Sequence, residues 1–157
     1  MIIGEHTIVH STNCFDAIYP WLIEVGDYCL ISTEVKVIVH DSSTNRIGGV
    51  TKVGRVTIGD HVYLGQGVTV LCNVKIGNNV VVGAKSLVSR DLPSGGVYAG
   101  NPARFICSIE EFEQKHIHNL KIAPTFDKPW RYWRDSATMK ERLEMKEALK
   151  DTHGYVK

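Results

Sequence analysis

Residues 56–92 read "VTIGDHVYLGQGVTVLCNVKIGNNVVVGAKSLVSRDL", and through them an aliphatic residue returns every six positions: Ile58, Leu64, Val70, Ile76, Val82 and Val88. Glycine follows at Gly59, Gly65, Gly77 and Gly83, and Val62, Val68, Val74, Val80, Ser86 and Leu92 stand four positions after the aliphatic series. A period of six fits neither a helix nor plain strand alternation, and it marks a coiled β-solenoid. Each hexad supplies one short strand and a corner. The aliphatic side chain points into a three-sided core, and glycine clears the backbone where the chain turns or approaches its neighbour. Three hexads then make one coil, so stacked positions lie 18 residues apart, as Ile58 and Ile76 do.

The same register stands earlier at Val25, Ile31 and Val37. From Val37 to Ile58 the separation is 21 rather than 18, so residues must leave the coil there. The polar stretch "DSSTNRIGGVTK", Asp41 to Lys52, carries Gly48 and Gly49 and is the expected excursion. His40 stands at its root. A second excursion, "STNCFDAIYPW" at 11–21, is expected between Ile3 and Val25. After Pro93 the rhythm stops. "SGGVYAGNPAR" reads as a turn-rich exit, and Ser108 with Glu111 reads as a capping box opening a helix with Ile109, Phe112 and Leu120 on its apolar face. Such a helix would cover the open end of the core, which a solenoid otherwise leaves as bare apolar surface and unpaired strand edges. "DKPWRYWRD" reads as an aromatic loop whose Trp130, Tyr132 and Trp133 serve as packing anchors, and a second, charged helix is expected near 136–150. The expected division is a β-helix over 1–105, with excursions near 11–21 and 41–52, followed by a helical cap and tail over 106–157.

Composition limits the partners. The 157 residues are 43% apolar and 22% charged, ordinary for one globular domain, and 18 basic against 17 acidic residues leave no footprint for a nucleic acid or an anionic membrane. No apolar run reaches the length of a membrane span, and "MIIGEHTIVH" lacks the pattern of a signal peptide, so a cytoplasmic protein is expected. Cys14, Cys29, Cys72 and Cys107 are widely scattered and suggest neither a zinc knuckle nor a disulfide framework.

Residues 56–104, with the Val88–Pro93 ending and the "GNPAR" run Gly100–Arg104, resemble the C-terminal coils of the hexapeptide-repeat acyltransferases. The resemblance covers roughly residues 1–115. It implies an all-β fold, a left-handed parallel β-helix with a C-terminal α-helical cap, assembled as a homotrimer with sites at subunit boundaries. Within that family the sequence sits nearest the sugar O-acetyltransferases of surface-polysaccharide clusters, with galactoside, maltose and xenobiotic acetyltransferases as cousins. In those enzymes a histidine just after the strand preceding an extended loop is the general base, and His40 matches that placement. His61, in a plain "IGDH" hexad, reads as a surface residue.

The implied reaction moves an acetyl group from acetyl-CoA to a sugar hydroxyl. The thioester is already activated, so one imidazole, which exchanges a proton near neutral pH, can take the hydroxyl proton and return it to the leaving sulfur. Asp41 is a poor candidate to orient that ring, because neighbouring side chains on a strand point apart. Carried over position by position, the resemblance puts Gly83, Ala84 and Gln66 along the pantetheine arm, Ser89 and Arg90 near the nucleotide end, and Arg104 near the CoA phosphates, where a guanidinium fork suits phosphate oxygens. Cys107 replaces a second arginine of the galactoside enzymes, so phosphate contacts are expected to differ there. Asn13 and Asp16, in the first excursion, fall where the cousins bind the acceptor.

Three other functions share the pattern: acetylation of an amine on an amino sugar, serine acetylation, and a non-catalytic trimeric scaffold. Serine acetyltransferases carry a long N-terminal helical domain, and here the repeat begins by Ile3. A metal-dependent carbonic anhydrase of this architecture holds zinc with three histidines across the subunit interface, two of them five residues apart in one chain. His6 and His10 lie four apart and His116 and His118 two apart, so no metal is expected.

Overall fold

The computed structural model describes residues 1–12 and 14–157. The chain divides into two compact units, Met1–Glu110 and Glu111–Lys157.

In the first unit the chain visits three parallel sheets in turn and makes the circuit four times. The circuits are Ile2–Ile3, Ile8–Val9, Cys14–Phe15; Ile23–Val25, Leu30–Ile31, Lys36–Val37; Val56–Ile58, Tyr63–Leu64, Thr69–Val70; and Val74–Ile76, Val81–Val82, Leu87–Val88. Between the third and fourth circuits the partners are Ile58 with Ile76, Leu64 with Val82 and Val70 with Val88, each 18 residues apart. Gly96–Ala99 then adds a further parallel strand beside Val81–Val82, and Arg104–Ser108 closes antiparallel against it.

The aliphatic rhythm fills the interior. Ile31, Val37, Leu64, Val70, Ile76, Val82 and Val88 are fully buried, joined by Val35, Val68 and Val80 from the second series. Polar side chains at the corners tie successive coils together: Asp27 accepts the Glu5 N–H, Asp60 that of Asp27, Asn78 that of Asp60, and Ser94 that of Asn78, at 2.7–3.0 Å. The corner is so tight that a Cβ on Gly59 would lie 2.9 Å from the Gly77 carbonyl carbon. Replacing Leu64 with alanine is therefore expected to cost about 2–5 kcal/mol, read as a lowered denaturant midpoint. A loss under about 1 kcal/mol would contradict a continuously packed interior.

The structure refines the sequence reading in two places. Cys14–Phe15 pairs with Lys36–Val37 and completes the first circuit, so the chain leaves the coil only after Phe15. The six-residue step from Ile3 to Val9 to Phe15 was present in the sequence, hidden by the polar "STNC" around it. "DKPWRYWRD" is a short helix over Trp130–Asp135 rather than a loop. It starts after Pro129, and Trp133 Nε1 donates to the Lys128 carbonyl at 3.0 Å.

Between the second and third circuits, His40–Asp41 pairs antiparallel with Lys52–Val53, and a 3-10 turn over Ser42–Arg46 links them. Asp41 caps that turn, accepting the Ser43 N–H at 2.9 Å.

Helix α1 (Ile109–Leu120) carries the chain into the second unit. There Thr125–Phe126 pairs with Tyr155–Val156, and His116 Nδ1 and the Tyr155 hydroxyl lie 2.9 Å apart. Helix α2 is Trp130–Asp135, and α3 is Met139–Ala148. A reciprocal capping box joins Thr138 and Glu141 at the start of α3. Among the described residues no helix is long and apolar enough to cross a membrane.

Candidate active site

From Val35 to His40 the chain alternates strictly, with Val35, Val37 and Val39 fully buried and Lys36, Ile38 and His40 turned outward. Val39 belongs to the core, so the next residue, His40, must face out. Its side chain is 27% exposed, enough to meet a reactant yet enclosed on one side. The enclosing side is Asp16, whose side chain is only 1% exposed and whose Oδ2 meets His40 Nδ1. The Asp16 carboxylate also accepts N–H groups from Ile18 at 3.0 Å, Val39 at 3.1 Å and Tyr19 at 3.2 Å. Burial alone would raise the pKa of this acid, but the Val39 amide, the His40 ring and the Tyr19 and Ile18 amides outweigh it and hold the carboxyl below its ordinary value.

An ionised carboxylate can only accept, so Nδ1 of a neutral His40 ring carries the proton and Nε2 keeps its lone pair. No hydrogen bond among the described residues engages Nε2. The Tyr19 ring stands edge-on to the imidazole with centroids 5.7 Å apart, limiting its rotation, and Trp21 stands edge-on to Tyr19 at the same distance.

Two clefts meet at the ring. One, of about 470 Å³, is lined by Ile38, His40, Asp41, Ser42, Lys52, Leu71, Cys72 and Ser89. The second, of about 410 Å³, lies toward the first coil between Cys14–Ile18 and Lys36–His40.

Of the residues expected from sequence, the structure brings His40 and Ser89 into one cleft and sets Asp16 behind the ring. Asp16 gives its oxygens to four donors and also lines the second cleft, the one toward the first coil. Asn13 lies outside the described residues. Gln66 sits at another corner, where its carbonyl accepts the Lys85 N–H at 2.8 Å, beside a small recess containing Glu34 and Lys85. Gly83 donates its N–H to Tyr98 in the adjoining strand at 2.8 Å, while Ala84, Arg90 and Arg104 are exposed. Within this chain none of these last four lines either cleft at His40. Ile38, Leu71, Cys72 and Tyr19 were not singled out from sequence, although the alternation of "KVIVH" marks Ile38 as outward-facing. Among the described residues no group of three or more His, Cys, Asp or Glu side chains is placed to hold a metal ion.

Comparison with known proteins places this architecture. Residues 45–90 match the family described as bacterial transferase hexapeptide (six repeats). The chain belongs to the hexapeptide-repeat transferase family. It is 33% identical to YvoF of Bacillus subtilis (strain 168) over 115 residues, covering 73% of this chain and 64% of YvoF. It is 34% identical to the galactoside O-acetyltransferase of Escherichia coli (strain K12) over 101 residues, 62% of this chain and 49% of that enzyme. Among solved structures, the hexapeptide-repeat acetyltransferase VCA0836 from Vibrio cholerae O1 biovar eltor, complexed with acetyl coenzyme A, superposes with a TM-score of 0.62 at 30% identity, covering 68% of this chain and 59% of that one. This chain thus spans less than two thirds of each of these relatives. Such neighbours imply a left-handed β-helix.

Proposed function

We propose that this protein transfers an acetyl group from acetyl-CoA to a hydroxyl of a sugar or surface-polysaccharide precursor, with His40 as general base. The observation that carries the reading is the partly exposed imidazole, bonded through Nδ1 to a buried carboxylate, where two clefts meet. The galactoside O-acetyltransferase and the acetyl-CoA complex among its relatives support the reaction type and the acyl donor.

The larger cleft fits a narrow acyl-bearing arm. Ile38, Leu71 and Ser89, from the second, third and fourth coils, line it together with His40. Ser89 would hold the arm within this chain. In a homotrimeric left-handed β-helix with a C-terminal helical cap, Gln66, Gly83, Ala84, Arg90 and Arg104 would complete the cofactor groove across the subunit boundary. Acetyl-CoA supplies a thioester carbonyl activated toward attack. His40 Nε2 takes the proton of the attacking hydroxyl and delivers it to the departing sulfur, while Asp16 fixes the tautomer and stabilises the transient imidazolium. With acetyl-CoA as co-substrate, the cytoplasm is the natural location.

The test is release of free thiol from acetyl-CoA on addition of sugars, with the sugar product examined for one added acetyl ester. The expected result is thiol release that depends on the sugar. Absence of CoA binding, or release indifferent to the sugar, would contradict the proposal. Acetylated amine rather than ester would move the reading to amino sugars.

A further inference from the structure

The two clefts share only Ile38 and His40. With the donor arm in the Leu71–Ser89 cleft, a second reactant reaches the same imidazole only from the recess on the first-coil side. Its volume of about 410 Å³ lies within the usual range for small-molecule sites.

The recess has a distinct chemistry. Cys14, Ala17, Ile18 and Ile38 give it an apolar wall. Asp16 adds little outward charge, since its side chain is buried and its oxygens are occupied by three amide N–H groups and the imidazole. Lys36 is then the recess's solvent-facing charge. It forms no ion pair among the described residues; it also borders the neighbouring recess with Glu34, whose carboxylate feels the Lys36 charge but is bonded to Lys85 at 3.1 Å. Alternation puts Lys36 and His40 on the same outward face, four residues or about 13 Å of extended chain apart. The flexible lysine stem lets its ammonium work within the same recess as His40, which both residues line.

We infer, resting on the acetyl-transfer reading, that the acceptor is an anionic sugar whose carboxylate or phosphate sits on Lys36, whose apolar face lies on Ala17, Ile18 and Ile38, and whose hydroxyl meets His40. A compact ammonium on a flexible stem suits a point anion of either kind. A neutral sugar would leave that charge with only Glu34, already bonded to Lys85, as a nearby counter-charge.

The experiment compares glucose, glucuronate and glucose 1-phosphate, and the matching galactose series, in thiol release by the wild type and by the Lys36→Met and Lys36→Arg variants. The wild type is expected to prefer an anionic member, the carboxylate and phosphate arms showing which anion is used. Lys36→Met is expected to lower kcat/KM for that member by about tenfold to a hundredfold and leave the neutral sugar unchanged, and Lys36→Arg to restore most of the loss. Neutral sugars used as well as anionic ones, or an equal loss for all in Lys36→Met, would overturn the inference while leaving acetyl transfer intact. A parallel readout follows labelling of Lys36 by trinitrobenzenesulfonate. Protection by glucuronate or glucose 1-phosphate but not by glucose supports the anion site even if no sugar is acetylated, a result that would sink the transfer reading instead. Equal labelling in all cases overturns the inference.

Discussion

Replacing His40 with alanine is expected to lower kcat for sugar-dependent thiol release by about 10²–10⁴-fold, the usual worth of a positioned general base. The donor cleft is lined by seven other residues and survives the change, so the KM for acetyl-CoA is expected to move far less. Stability separates this chemical role from a packing role. The ring is only part-buried and lies outside the aliphatic core. Its removal deletes one charge-assisted hydrogen bond, worth about 1.5–3 kcal/mol, and leaves Asp16 with three amide donors. The melting temperature is expected to fall by a few degrees, measured by calorimetry beside the activity. A collapse of stability with retained turnover would make His40 a structural residue.

Exchanging Asp16 for asparagine is expected to reduce kcat as severely, through its bond to the His40 ring. Its amide would donate to Nδ1 and force the proton onto Nε2, where a neutral ring can no longer accept one; such a swap in a buried Asp–His pair costs up to about 10⁴-fold. The substitution also carries a pH signature. The folded state holds the Asp16 carboxyl below its ordinary value of 3.8, so folding favours the ionised form. The resulting stabilisation is complete above pH 3.8 and disappears as the pH falls through the lower, folded-state value. Melting curves taken between neutral pH and pH 2 are expected to fall more steeply below about pH 4 in the wild type than in Asp16→Asn. Parallel curves would show that the acid is not held ionised by its four donors.

The coil was legible because six-residue spacing is written locally: the position that returns every six residues from Ile58 to Val88 is aliphatic each time, and glycine follows it at four of the six corners. His40 was legible for the opposite reason, as the point where the 18-residue spacing breaks. Asp16 was placed nearby in sequence terms but assigned to the acceptor. Its pairing with His40 depends on Cys14–Phe15 lying beside Lys36–Val37, a register across 22 residues that the polar "STNC" obscured. The recess of Lys36 and Ile18 depends on the same register. Helix α2 gave no periodic signal because six residues make fewer than two turns, and its aromatic and basic side chains engage one another rather than forming an apolar stripe. The capping box of α3 was written plainly as Thr138 and Glu141 around two intervening residues, yet lay inside a segment read only for charge.

The protonation of one ring nitrogen decides the mechanism. Nitrogen-15 NMR of histidine-labelled protein near pH 8, with His40→Ala used to assign the signal, reads it directly. The proposed arrangement requires a proton on Nδ1 of His40 and a bare lone pair on Nε2. A ring carrying its proton on Nε2, with Nδ1 unprotonated toward Asp16, would contradict it.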